Sequence, residues 1–405
     1  MSLNDNFRRP TAAGLRGLVL ALGAAAAALA VLASCGGGVG SGGTGSFASG
    51  PITGFGSVIV GGVRFDDSMA AVADGDGGRR SREELRLGMT VEIDSSAIST
   101  DATGSSVSTA TARNIRFESE LAGLVGAVDV AGSSFTLLGQ RVAVDASTVF
   151  DDRLDGGLAT LRVGQGLEVY AVYDTANARY RATRVEPSVP ATGLRLRGPL
   201  AQVDLAAQTL RIGSTVYSYA GATAVPSGLA AGQFVRLRLA LVALPTVRWV
   251  VQSFATALQT LPDADGVKVE GLISAFTSAN LFSVGGRPVD ASGASFPSGT
   301  AGLAAGVRVA VEGTLRAGTV RASKVQIVSD DEVRDRGFEL SGAITAVNAQ
   351  LATIVLRGIT VSTARSDLRF ESGSAANLVV GATVEARGVL SSDRRTLEAT
   401  RIKFR

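Results

Sequence analysis

The sequence has no histidine and one cysteine among 405 residues, and only three of its 39 basic side chains are lysines: Lys268, Lys324 and Lys403. Each shortage removes a class of chemistry. Without imidazole there is no Ser-His-Asp or Cys-His pair, no histidine metal ligand, and no side chain whose ordinary pKa lies near neutrality. One cysteine permits neither an intrachain disulfide nor an all-cysteine zinc site. No serine stands three residues before any lysine, which excludes a Ser-x-x-Lys hydrolase pattern. Aromatic residues make up only 5% of the chain. What is plentiful is glycine, with 50 residues, and nearly balanced charge, 39 Lys+Arg against 36 Asp+Glu, for a formal +3.

The first 50 residues carry an address. Arg8, Arg9 and Arg16 precede an uncharged Ala/Leu-rich run, 17–33, that ends in Leu32-Ala33-Ser34-Cys35. A basic start, an apolar stretch and a small-residue cleavage site form a secretory leader. Leu32 to Cys35 resembles the lipobox of bacterial lipoproteins. That resemblance implies cleavage between Ser34 and Cys35 and acylation of Cys35, palmitate included. Gly36 follows where an Asp would retain the protein, so it also implies sorting to the outer membrane of a Gram-negative cell. The competing reading, a transmembrane helix, has an apolar run at the short limit for a span. The leader removes three arginines and Asp5, leaving a mature chain of 36 basic and 35 acidic side chains. Such a chain has little field to steer phosphates or anionic lipids. Residues 35–49 read as a Gly/Ser-rich tether, whose 36–46 segment has an r.m.s. reach of roughly 20 Å.

The remainder is one module written five times. Glycine precedes a β-type run at Gly50, Gly123, Gly198, Gly271 and Gly342, with spacings of 73, 75, 73 and 71 residues. A second anchor recurs as LRLGMTVEI around Gly88, LRVGQGLEV around Gly164, LAAGQFVRL around Gly232, LAAGVRVAV around Gly306 and LVVGATVEA around Gly381. A third closes each unit: Ala112-Arg-Asn-Ile115, Ala182-Thr-Arg-Val185, Val251-Gln-Ser-Phe254, Ala322-Ser-Lys-Val325 and Ala399-Thr-Arg-Ile402.

In the second copy, alternating runs with Gly139 at a joint read as three strands, Leu154, Leu158 and Leu161 mark a helical turn, and two strands follow. This is the element order of an OB-like barrel. The expected fold is all-β: five small OB-like five-stranded β-barrel repeats in tandem after the signal peptide (1–34) and tether. Their boundaries are 50–118, 121–187, 193–257, 267–329 and 337–405. Short linkers, among them 118–120 and 329–336, suggest beads, some packed in pairs. The anchor glycines sit where a helical turn needs a positive φ before a strand. The closing motif breaks strict alternation, which predicts a β-bulge beside its Ala.

Gly50-Pro-Ile-Thr-Gly-Phe55, Gly61-Gly-Val-Arg-Phe-Asp66, the L-x-x-G-x-x-V anchor and the A-x-[RK]-[IV] ending together resemble the bacterial family catalogued as domain of unknown function 5666. The likeness spans nearly all of the mature chain. Its motifs are strand and turn residues, so it implies a fold and a repeat count and no catalytic residue.

Carboxylates are the only catalytic groups in quantity. The clusters Asp66/Asp67, Asp151/Asp152/Asp155 and Asp330/Asp331/Glu332/Asp335 fall at turns or linkers, where Asp bonds the local backbone. Asp74-Gly-Asp-Gly77 and Asp263-Ala-Asp-Gly266 start like calcium loops and lack the later acidic ligands, so no metal and no cofactor is expected. All five tyrosines, Tyr170, Tyr173, Tyr180, Tyr217 and Tyr219, and the single Trp249 fall in the second and third repeats. They are candidates for a surface that stacks sugar rings or peptide side chains; the competing reading is barrel core with an inter-repeat contact.

These features point to a lipid-anchored envelope protein, not an enzyme. Its repeats would serve as spacer or binding modules for a glycan or protein, with the membrane reached through the N-terminal lipid. Two alternatives stand: a carboxylate-dependent glycan hydrolase built across two repeats, and an OB-like nucleic-acid binder, against which the near-neutral charge counts.

Overall fold

The protein is described by a computed structural model covering residues 45–100, 108–188, 193–244, 246–255, 261–392 and 394–405. Ser34 and Cys35 lie outside the described residues, and residues 44–405 form one compact unit. In the second repeat the opening strand Leu121–Asp129 turns back into Ser134–Leu137, which pairs with Gln140–Ala143. The third strand runs parallel to the closing strand Arg179–Pro187. That strand pairs with Gly166–Asp174, which returns to the opening strand and shuts the ring. A 3₁₀ turn, Gly157–Thr160, joins the third and fourth strands. The parallel pairing of third and closing strands recurs in each of the other four repeats. The chain is therefore all-β, built of five OB-like five-stranded barrels.

Two anchors explain how each ring closes. Gly88, Gly164, Gly232, Gly306 and Gly381 all have φ between +80° and +91°. Each of these glycines donates its N–H to a carbonyl in, or for Leu200 one residue past, its own opening strand, Ile52, Val125, Leu200, Ile273 and Ile344 respectively, at 2.7–2.9 Å. The helical turn is thus reversed into the fourth strand by a residue that tolerates a left-handed backbone. The closing motif carries the expected bulge in all five copies. Arg113, Thr183, Gln252, Ser323 and Thr400 are each the extra residue, immediately after the motif's first position. A bulge bends its strand and increases local twist, which a small closed barrel requires.

The barrels are not beads in chain order. The opening strand of the first repeat, Gly45–Phe55, runs parallel to that of the fourth through Ser46–Ser49 and to that of the fifth through Gly54 and Phe55. Residues 45–49, read from the sequence as tether, are therefore strand. The cause is Phe47, 3% exposed in the core of the fourth repeat, with the Arg287 guanidinium 5.1 Å over its ring. The second and third repeats join through antiparallel pairing of Ala122 with Arg195 and Leu121 with Leu196. Burial follows the same grouping: one apolar core spans the second and third repeats, another the first and fifth. The stretch 329–336, expected as a linker, is the helix Asp330–Arg336, started by a capping box between Ser329 and Glu332. No helix among the described residues is long and apolar enough to cross a membrane.

Candidate functional site

Alternation along a barrel strand buries one side chain and points the next outward. In Leu194-Arg-Leu-Arg197, Leu196 is fully buried in the barrel, and Arg195 and Arg197 face the neighbouring repeat. The partner of Arg197 comes from the segment 116–120, which passes from the first barrel to the second, and that of Arg195 from the second barrel's strand Gly166–Asp174. Arg197 Nη1 lies 2.7 Å from Glu120, Arg195 Nη2 lies 2.9 Å from Glu168, and the Ser119 hydroxyl donates to Glu168 at 2.7 Å. Arg236 of the third repeat pairs with Glu118 and, at 3.0 Å, with Asp76 of the first. Arg287 of the fourth pairs with Glu92 of the first at 2.9 Å, and Arg336 pairs with Glu270 at 2.6 Å. The preference for arginine over lysine is explained here, because a planar fork pairs with carboxylate at a buried junction with less loss of freedom than an ammonium.

These pairs surround two openings that share the wall Phe117–Glu118. The smaller is a cavity of about 130 Å³ lined from the first four repeats, with Phe117, Phe234, Leu272 and Val284 among its apolar side chains and Arg116, Glu92 and Glu120 among its charged ones. The larger is a cleft of about 1010 Å³ between the first, second, third and fifth repeats, walled by arginines and carboxylates in near balance.

Burial dominates the electrostatics of this wall. It pushes the Glu118 carboxyl up to about 7, against the pull of Arg236 and Arg197. Burial also raises Glu120, opposed by Arg197. The same desolvation works against the charged form of Arg197, but Glu120 and Glu118 outweigh it and hold its pKa above the ordinary value.

The aromatic residues singled out in the sequence are placed inside. Tyr180 and Tyr217 are fully buried, Tyr170 is 2% exposed, and Tyr173 and Tyr219 are buried as well. The Tyr180 hydroxyl donates to the Arg197 carbonyl at 2.8 Å, and the Tyr217 hydroxyl donates to the Leu138 carbonyl at 2.8 Å while accepting from Gln140. Tyr173 meets Tyr180 edge to face at 4.8 Å, and half-buried Trp249 packs on the same core. Tyr170 instead joins the core of the first and fifth repeats. The five tyrosines are buried as packing and repeat-to-repeat contact, with Tyr173 at the wall of the smaller cavity and Tyr170 at that of the larger cleft, so they do not form one exposed stacking surface. A ring on a strand reads the same from sequence whether a neighbouring barrel or solvent covers its outer side.

The acidic clusters are occupied by arginine and backbone partners, some from other repeats. Asp66 accepts from the Ser68 N–H, Asp151 pairs with Arg153 and Arg184, Asp155 with Arg395, and Asp330 with Arg181. Asp74 accepts from the N–H groups of Asp76 and Gly78, Asp263 accepts from the Ala317 N–H, and Asp265 pairs with Arg316. Among the described residues no group of three or more His, Cys, Asp or Glu is arranged to hold a metal ion. The residues that do converge, Glu118, Glu120, Arg116, Arg197 and Arg236, escape sequence reading because charge on the outer face of a strand looks solvated. The available signal was Arg alternating with apolar residues in a chain almost without lysine.

Three segments, 122–186, 270–326 and 341–403, match the family model described as "Domain of unknown function (DUF5666)". No curated protein matches the chain. Among solved structures, a chain titled "drosophila Unr CSD456" is similar at 14% identity over 52% of this chain and 97% of its own, with a TM-score of 0.15. The matched segments fall on the second, fourth and fifth barrels, so these three repeats are DUF5666 domains.

Proposed function

We propose that this is a lipid-anchored protein of the outer membrane whose five barrels act together as a non-catalytic binding and spacing body, with a glycan or another envelope protein as partner. The observation that carries the reading is Leu32-Ala-Ser-Cys35 at the end of an apolar leader, followed by a Gly/Ser-rich tether. Two further observations support it. The carboxylates that an enzyme of this composition would need are engaged in ion pairs and caps, and no histidine is present to replace them. The cross-repeat strand pairings also give five barrels one fixed arrangement, as a spacer needs.

Replacing Cys35 with Ala tests the anchoring. Expression in a Gram-negative host with labelled palmitate should give a labelled, membrane-associated wild type and an unlabelled, unprocessed C35A precursor. Equal processing of both chains without label would defeat the proposal.

A further inference from the structure

The cavity of about 130 Å³ at the meeting point of the first four repeats has an uneven charge balance. Four carboxylates line it, and each already has an arginine: Glu92 has Arg287, Glu118 has Arg236, Glu120 has Arg197 and Glu270 has Arg336. Three arginines line it, and two of these, Arg197 and Arg287, are the partners just named. Arg116 remains. Its Nε is buried without a hydrogen-bond partner, and among the described residues no carboxylate lies within ion-pair distance of its guanidinium. Glu92 stands opposite it across the strand pair but is held by Arg287. Arg116 is half-buried, and a monoanion placed beside its buried, unpartnered Nε would satisfy that hydrogen bond as well as the charge.

We infer that this cavity is a binding site for a small organic monocarboxylate, its carboxylate on Arg116 and its apolar body against Phe117, Phe234, Leu272 and Val284. Size sets the class. A cavity of about 150 Å³ accepts benzene, so this one takes an apolar body of about four to six non-hydrogen atoms. Chemistry narrows it further. The single uncompensated charge matches one carboxylate, and the apolar remainder of the lining disfavours inorganic phosphate, which needs polar groups on every side. Because the walls come from four repeats, an occupant would stabilise their junction by mass action. The site is independent of how the protein is anchored.

Calorimetry and thermal unfolding of the protein with isovalerate test the site, with isoamyl alcohol as the uncharged analogue and inorganic phosphate as the bare anion. Isovalerate should bind at least tenfold more tightly than either and raise the unfolding temperature. R116Q should weaken isovalerate at least tenfold and leave the alcohol unchanged. R116K, which keeps the charge and loses the fork, should fall between, and it retains the test if R116Q does not fold. Equal binding of isovalerate and the alcohol, binding of phosphate as tight as isovalerate, or no binding of isovalerate to the wild type would each overturn the assignment.

Discussion

Arg197→Ala is expected to destabilise the folded body by about 3–5 kcal/mol, because it leaves the Glu120 carboxylate at the junction without its counter-charge. The side chains of this pair are 16% and 12% exposed, so water can do little to replace the guanidinium. The guanidinium also sits 5.5 Å over the Phe234 ring, so part of the loss is apolar packing. The Arg197 carbonyl would still accept from the Tyr180 hydroxyl, so the contact between the second and third barrels persists in the variant. The pair as a whole contributes far less than its rupture costs. Replacing both partners together, Arg197→Met with Glu120→Leu, should therefore recover most of the stability. Urea unfolding of the wild type, the single variant and the double variant measures this. A double variant as unstable as the single would show that the loss comes from something other than a stranded charge.

The second large effect is on pH dependence. Glu118 titrates in the folded protein at about 7, above the ordinary value of 4.5. A group whose folded pKa is raised binds a proton more tightly when folded, so its contribution is full below pH 4.5 and is lost as pH rises to about 7. The total is about 3 kcal/mol at 1.36 kcal/mol per pH unit. Few other groups obscure this window. The chain has no histidine, and the carboxylates held by arginines and backbone N–H groups, such as Asp74, Asp145 and Glu385, are shifted down. Glu120 is the other group shifted upward by burial at this wall. Stability measured by urea unfolding should fall between pH 5 and 7.5, and Glu118→Gln should remove most of that slope. A wild type whose stability is flat or rising across this interval would contradict the assignment of a buried, easily protonated carboxyl here.

Much of each barrel is legible in the sequence because its features are local and repeat. Period-2 alternation names the inward side chains, the anchor glycine announces a positive φ, and in four copies the Ala-x-x-[IV] motif breaks alternation at the residue where the closing strand bulges. What joins the barrels is not local. Ser46–Ser49 pairs with Gly266–Val269, some 220 residues away, and two backbone edges that meet impose no residue type on either. The same limit explains the misassigned segments. Gly45 and Ser46 look like tether until Phe47 is seen inside the fourth barrel, and Glu118-Ser-Glu120 looks like a solvated connector until three arginines of the third repeat close over it. The helix after Ser329 was readable from its Ser-x-x-Glu spacing; the acidic run there masked the cap. For the candidate site, the tyrosines drew attention by being rare, and rarity says nothing about which side of a strand a neighbour covers.

The central claim is that five barrels joined out of chain order make one body. Small-angle X-ray scattering of residues 44–405 tests it most directly. A single compact unit of this length has a radius of gyration of about 21 Å, and five barrels of this size strung in chain order would give roughly 40 Å. The fold described here requires the smaller value, with no change between low and high salt. A radius near the larger value would show that the first repeat does not sit against the fourth and fifth.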